Sequence, residues 1–315
     1  MPPGFRNGAF LYRSPDGGRL PYMLTRPRNV PNPVAPLLVH FHSAGPPGHK
    51  GMDSFRFHRH FVRNCPPGYA EADEDWTEPW YILSLGCPHG AEHVHPYLKA
   101  QCATGEPHML WWFKTCSDQE YNTYSFAHAR RAFEVELMVV HLLWEVMDAL
   151  PIDPSRIFFC GESMGGYACL RAAELVPQIP AQVIPMSSYY PVMEGHHLPH
   201  LLDALTDVPI DCIHCERDKV CPRSDPAVGD LLDALERRGE VRWAPAHLSK
   251  GSDGGFHRAD LLLWADARHE YFTKLAQQCK SQPGSYEVAR HQCLEHLVQQ
   301  ARVIDNERYR ARGWY

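Results

Sequence analysis

The chain has 315 residues, of which 44% are hydrophobic, 11% aromatic and 22% charged, which excludes a disordered, collagen-like or coiled-coil protein and predicts a globular one with a large core. Its 31 Lys and Arg against 37 Asp and Glu leave a formal charge of −6, which offers no broad positive field to phosphate backbones or anionic lipid, so no nucleic acid and no membrane surface is expected as a partner. The most apolar stretch, Leu137 to Leu150, is broken by His141, Glu145 and Asp148 and falls short of the roughly 20 apolar residues of a membrane span.

The N-terminal MPPGFRNGAFLYRSPDGG lacks the basic start, apolar run and small-residue cleavage site of a secretory signal, so export is not expected. The 11 cysteines form an odd set, and Cys160, Cys169 and Cys212 sit inside apolar segments, which predicts reduced thiols and a cytoplasmic setting.

Runs rich in Val, Ile, Leu, Phe and Tyr predict strands at Ala9–Tyr12, Leu20–Leu24, Pro36–His42, Trp80–Leu85, Arg156–Cys160, Ala181–Met186, Pro209–Cys215 and Val241–Leu248. The first two flank a Ser14-Pro15-Asp16-Gly17-Gly18 turn and read as an antiparallel hairpin. The later ones alternate with helical patterns and should be parallel. The clearest helix places Phe133, Leu137, Val140, Trp144 and Met147 on one stripe and ends before Pro151. The expected fold class is α/β, a mostly parallel eight-stranded sheet with an antiparallel N-terminal edge and helices on both faces. No repeat or low-complexity linker divides the chain, so residues 1–280 are expected to form one domain. Residues 86–124, dense in His, Trp and Cys, read as an insertion that forms a cap or pocket wall. Residues 281–315 read as a helical tail with Leu294, Leu297, Ala301 and Ile304 on one stripe.

The segment DPSRIFFCGESMGGYACLRAAELVP, Asp153 to Pro177, carries Gly161-Glu162-Ser163-Met164-Gly165. A bare Gly-x-Ser-x-Gly arises by chance in roughly one chain in ten of this length. Here an apolar strand enters the motif and a helix of small residues leaves it, which is the setting of a nucleophile elbow. On so sharp a turn bulky neighbours would collide, and Gly161 and Gly165 remove that collision. Ser163 would then stand at a helix N-terminus, where the Met164 amide and the helix dipole stabilise a developing oxyanion.

A serine hydroxyl is a weak nucleophile near neutral pH and needs a histidine base oriented by a carboxylate. In chain order the acid should come next, after a later strand. Asp218 lies in the loop after Pro209–Cys215, with Glu216 as its competitor; for either, a surface ion pair with Arg217 or Lys219 is the plain alternative. Five histidines follow: His247 in the strand Val241–Leu248, His257, His269 in the helical run from Ala259 to Gln278, and His291 and His296 in the tail. His257 follows the loop Lys250-Gly251-Ser252-Asp253-Gly254-Gly255-Phe256 and opens the final helix, so it is the expected base. The second oxyanion donor should be a main-chain amide of Ser43 or Ala44 in the loop that ends PLLVHFHSAGPPG. His42 reads as a buried histidine that shapes this loop, and with Glu162, Trp111 and Trp112 it completes the expected substrate pocket.

At these places the chain resembles the α/β-hydrolase superfamily, most closely its branch of small esterases that includes polyhydroxybutyrate-depolymerase-like and predicted-peptidase proteins. DPSRIFFCGESMGGYACLRAAELVP is the specific part, and PLLVHFHSAG, VPIDCIHCERDKVCP and GGFHRADLLLW are weaker echoes in the expected order over residues 9–280. The resemblance implies Ser163 as nucleophile, Asp218 as acid and His257 as base, in a carboxylesterase that cleaves a small-molecule ester without a cofactor. A thioesterase or peptidase would use the same residues, and a catalytically silent binding relative is the alternative from another class. The chain departs from the family in having His42-Ser43 and His214-Cys215 where His-Gly is usual, and Asp260 where a tryptophan often follows the histidine.

Two clusters of metal-ligand residue types have plainer readings. Cys212 and Cys215, with His214 and Cys221 nearby, lie on a strand, where residues three apart face opposite ways and suit buried thiols better than a shared ion. His89, His93, His95, Cys102, His108 and Cys116 lack a recognisable ligand spacing. No metal is expected. The basic run Arg56 to Arg63 reads as the solvated face of a helix.

Overall fold

In the computed structural model the described residues are 8–13, 19–27, 34–42, 80–86, 126–190 and 198–244, with Tyr271, Lys274, Leu275 and Gln277 beyond them. The elements in chain order are β1 (Gly8–Arg13), β2 (Arg19–Thr25), β3 (Ala35–Phe41), β4 (Tyr81–Leu85), α1 (Phe126–Ala149), β5 (Ile152–Glu162), α2 (Met164–Leu175), β6 (Gln182–Met186), α3 (Leu198–Ala204), β7 (Cys212–Cys215), α4 (Pro226–Arg237) and β8 (Val241–Ala244). The strands form one 8-stranded sheet in the order β1-β2-β4-β3-β5-β6-β7-β8. β1 pairs antiparallel with β2, and β2 antiparallel with β4. From β4 through β3 to β8 every pairing is parallel. The expected sheet, with its antiparallel first strands, is the observed one.

The central strands are buried along their whole length, as parallel strands covered on both faces must be. Their side chains alternate between two apolar clusters. Leu37, Val39 and Phe41 of β3, with Ile157 and Phe159 of β5, belong to the larger cluster, which α1, α2, α3 and α4 complete. Leu38, Phe158, Cys160 and Ile184 face the other way, where Trp80 and Leu275 join them. In α1 the stripe expected to face the core is buried at Val140, Trp144 and Met147. Asp225 caps α4, its carboxylate accepting from the Ala227 N–H at 2.8 Å with Pro226 in the first turn, and the helix buries Val228, Leu231, Leu232 and Leu235.

Boundaries differ most from the expected ones at β5 and β7. β5 begins at Ile152, where Ala35 pairs, and the register with β3 shifts before Leu37 meets Ile157. Asp153 folds back within this stretch, accepting from the Ser155 N–H at 2.9 Å and the Arg156 Nε at 2.7 Å. The predicted strand Pro209–Cys215 is regular only from Cys212, with Ile210 reaching β6 through a single bridge to Val183. β8 is described as far as Ala244, and His247 lies outside the described residues.

Candidate active site

The motif glycines stand where the chain has no room for a side chain. A Cβ on Gly161 would lie 2.2 Å from the Gly165 carbonyl oxygen, and one on Gly165 would lie 2.0 Å from the Phe41 oxygen and 2.7 Å from the His42 oxygen. The turn is therefore pressed against both the end of β5 and the end of β3. Gly166 is equally confined, its Cβ position being 2.7 Å from the Ser188 Cβ.

Ser163 occupies the turn with φ 54° and ψ −118°, in the left-handed half of backbone space that L residues rarely enter. Both sides of the residue are held by main-chain bonds. Its N–H donates to the Met186 carbonyl of β6 at 2.8 Å, and its own carbonyl accepts from Gly166 at 2.9 Å and Tyr167 at 3.1 Å, which starts α2. No side-chain hydrogen bond from Ser163 caps the helix. The Met164 amide lies in the first turn, among N–H groups without an intrahelical acceptor. Glu162 is the last residue of β5 and is half-buried. His42, just beyond β3, is buried as expected. Because its carbonyl abuts Gly165, the chain that continues into Ser43 and Ala44 leaves β3 beside the serine turn. Ser43, Ala44, Trp111, Trp112 and His257 themselves lie outside the described residues, as do residues 86–124 apart from Gly86, and the tail.

Asp218 follows β7 at the same end of the sheet. It is buried between exposed neighbours, and its Oδ1 accepts from the Val220 N–H at 2.9 Å and the Cys221 N–H at 2.8 Å. Glu216, its competitor in the sequence, is exposed. β7 lies two strands from β5, a lateral distance of about 10 Å at the usual spacing between strands. That gap suits an imidazole with a hydrogen bond on each side.

Three arrangements here were not foreseen. His214 has Nε2 3.0 Å from the Cys221 carbonyl oxygen. Ser187 is a second left-handed residue, at φ 43°, and its N–H donates to the Ile213 carbonyl at 2.8 Å. Behind α2, Arg171 is buried between Glu136, 2.7 Å from its Nε, and Glu174, 2.8 Å from its Nη1, and the Tyr190 hydroxyl donates to Glu174. Burial pulls the guanidinium pKa down, but the summed attraction of Glu136, Glu174 and Tyr190 outweighs it and holds the charge firmly in place. Only the Arg171–Glu174 pair, three residues apart on α2, has a signature in residue spacing; the other bonds depend on how separate elements come together.

The thiols are placed for packing. Cys212 belongs to one apolar cluster and Cys215 to the other, so the pair faces opposite sides of the sheet, as expected for residues three apart on a strand. The five described cysteines form no disulfide. Among the described residues no helix is long and apolar enough to cross a membrane.

No protein-family model and no curated protein matches this sequence. Among solved structures, the chain is similar to a thermostable esterase with a TM-score of 0.57 and 24% identity, over 86% of this chain and 63% of that one. It thus spans less than two thirds of that esterase's length. It is also similar to a ferulic acid esterase, with a TM-score of 0.50 and 12% identity over 86% of this chain and 97% of that one. Identities this low speak to architecture. With its eight strands, antiparallel first pairings and helices packed against the sheet, the chain has the α/β-hydrolase fold.

Proposed function

We propose that this chain is a serine hydrolase acting on carboxylic esters, with Ser163 as nucleophile, His257 as base and Asp218 as acid. The observation that carries the reading is the strained turn at Ser163. A left-handed serine is held by the Met186 carbonyl between two glycines that have no room for a Cβ. Backbone strain of this kind costs about 1–3 kcal/mol and persists where function requires it.

In the proposed reaction the Ser163 Oγ attacks the acyl carbon while His257 Nε2 takes its proton, with Nδ1–H donating to Asp218. The tetrahedral oxyanion is met by the Met164 amide and by that of Ser43 or Ala44. His257 passes the proton to the leaving alcohol as the acyl–oxygen bond breaks. Water then gives a proton to His257 and its oxygen to the acyl carbon, and the acid departs as Ser163 regains its hydrogen. His42, Glu162, Trp111 and Trp112 are the proposed pocket residues. None of these steps needs a cofactor.

The sequence favours His257, which follows a glycine-rich loop, over His269, which falls inside the helical run from Ala259 to Gln278. The Tyr271 hydroxyl donates to Asp211 Oδ2 at 2.9 Å, which anchors this part of the chain at the start of β7, the opposite end from Asp218.

The test is fluorophosphonate labelling with the adduct located by peptide mass spectrometry, alongside hydrolysis of p-nitrophenyl esters of increasing chain length. Labelling should be confined to Ser163, and Ser163→Ala and His257→Ala should each lower turnover by at least about a thousandfold. His247→Ala and His269→Ala should leave it within a few-fold. A folded Ser163→Ala protein that still turns over ester overturns the reading.

A further inference from the structure

We infer that His214 is a positioning residue for the acid, holding Asp218 in place through the main chain of Cys221; this rests on the triad proposed above. The acid sits in a tight loop, the Asp218 N–H reaching back to the Cys215 carbonyl at 3.3 Å while its Oδ1 collects the Val220 and Cys221 amides. On the solvent side of the loop tip Lys219 and Val220 are exposed. From the core side the His214 ring reaches the loop, with Nε2 3.0 Å from the Cys221 oxygen. A carbonyl oxygen only accepts, so Nε2 carries the proton and the ring's role is that of a donor.

The ring is itself held. His214 is buried on β7, its main chain opposite Trp243 of β8, and the two rings meet edge to face at 5.8 Å and 83°. Trp243 is fixed from outside by the Arg223 guanidinium, 5.5 Å from its ring centre, and Arg223 bonds Glu236 of α4 at 3.0 Å. The loop that carries the acid is thus gripped on its inner side by His214 and farther along by Arg223. Cys221 is the point where the His214 bond and an Asp218 bond meet on one residue. Without the donor that residue is free to shift, and the amide that aims the carboxylate shifts with it. A triad tolerates displacements of only about 0.5 Å.

The test compares His214→Gln, whose amide nitrogen reaches about as far as Nε2, with His214→Asn, whose amide falls short; the two pose similar burial demands. Hydrolysis of p-nitrophenyl butyrate is measured against pH, with fluorophosphonate labelling rates and thermal melting alongside. The Gln variant should keep kcat within about fivefold, whereas the Asn variant should lose about 10- to 100-fold in kcat with KM within about threefold. In the Asn variant the acid limb of the rate profile should also move to lower pH, because a displaced Asp218 stabilises the imidazolium less. If the Asn variant does not fold, His214→Phe, which keeps a ring against Trp243 but has no donor, takes its place. Equal rates in the two variants, or a loss in the Asn variant with an unmoved acid limb, overturn the inference and leave the triad standing. A wild-type chain that neither labels at Ser163 nor hydrolyses ester overturns both.

Discussion

At Ser163 the main chain meets three demands at once: it ends the β5 ladder through its N–H on Met186, starts α2 through its carbonyl, and adopts φ 54° to do both. A residue without a Cβ would meet them with no strain. Ser163→Gly is therefore expected to be inactive yet more stable than Ser163→Ala by about 1 kcal/mol in urea unfolding, and a Gly variant less stable than the Ala one would contradict the strain. The neighbouring glycine gives the opposite expectation. A methyl group at Gly165 meets main-chain oxygens of Phe41 and His42, which cannot rotate away, so Gly165→Ala should cost about 2–4 kcal/mol and at least a hundredfold in turnover. Gly239→Ala is the control, with φ +72° but nothing within 4 Å; it should cost about 1 kcal/mol and leave turnover unchanged. Both glycines of the motif and the serine between them were legible in the sequence because the strand, the motif and the helix are contiguous, even though much of the crowding comes from Phe41 and His42 of β3. Spacing alone left Asp218 and Glu216 both open; burial distinguishes them, Asp218 being buried and Glu216 exposed.

The same divide appears at the level of elements. The central strands were readable because covered parallel strands are continuous apolar runs, β1 and β2 from the turn between them, and α1 from its stripe. What locks α2 was not readable, because Arg171 and Glu136 are 35 residues apart and a buried arginine has no sequence signature. That ion cluster lies two turns beyond the serine and joins α1, α2 and the segment after β6, where Tyr167 stacks on Tyr189 at 5.7 Å. Removing the cation alone leaves two carboxylates with little water, so Arg171→Met should cost about 3–5 kcal/mol. Arg223, also bonded to two carboxylates but with a side chain 46% exposed, is the matched comparison, and Arg223→Met should cost less than about 1 kcal/mol. Chemical denaturation of the two variants checks the contrast, and equal losses would mean that burial does not set the strength of these pairs.

For the whole molecule, burial of thiols and phenols makes the alkaline side of the stability profile the sensitive one. Burial pushes Cys160, Cys169, Cys212 and Cys221 well above a thiol's ordinary value of 9.0, with the Asp218 charge adding to the effect at Cys221. Tyr167 and Tyr190 are raised in the same way, chiefly by burial, above an ordinary 10.0. Above pH 9 the unfolded chain releases thiol protons that the native chain keeps, so the native state binds more protons and its stability falls as pH rises. Each thiol that ionises only on unfolding contributes a slope of about 1.4 kcal/mol per pH unit. Stability measured by urea unfolding should therefore be insensitive to these groups below pH 8 and drop steeply from pH 9 upward, more steeply past pH 10 as the tyrosines join. Replacing Cys160 with Ala should flatten that descent by one thiol's share, at the cost of a small cavity in the cluster that Phe158 and Trp80 also line. The buried thiols should also resist iodoacetamide at neutral pH and become reactive with global unfolding. Rapid alkylation of Cys160 or Cys212 in the native protein, or a stability profile that stays flat through pH 10, would show that these side chains meet water in ways the two-sided core does not allow.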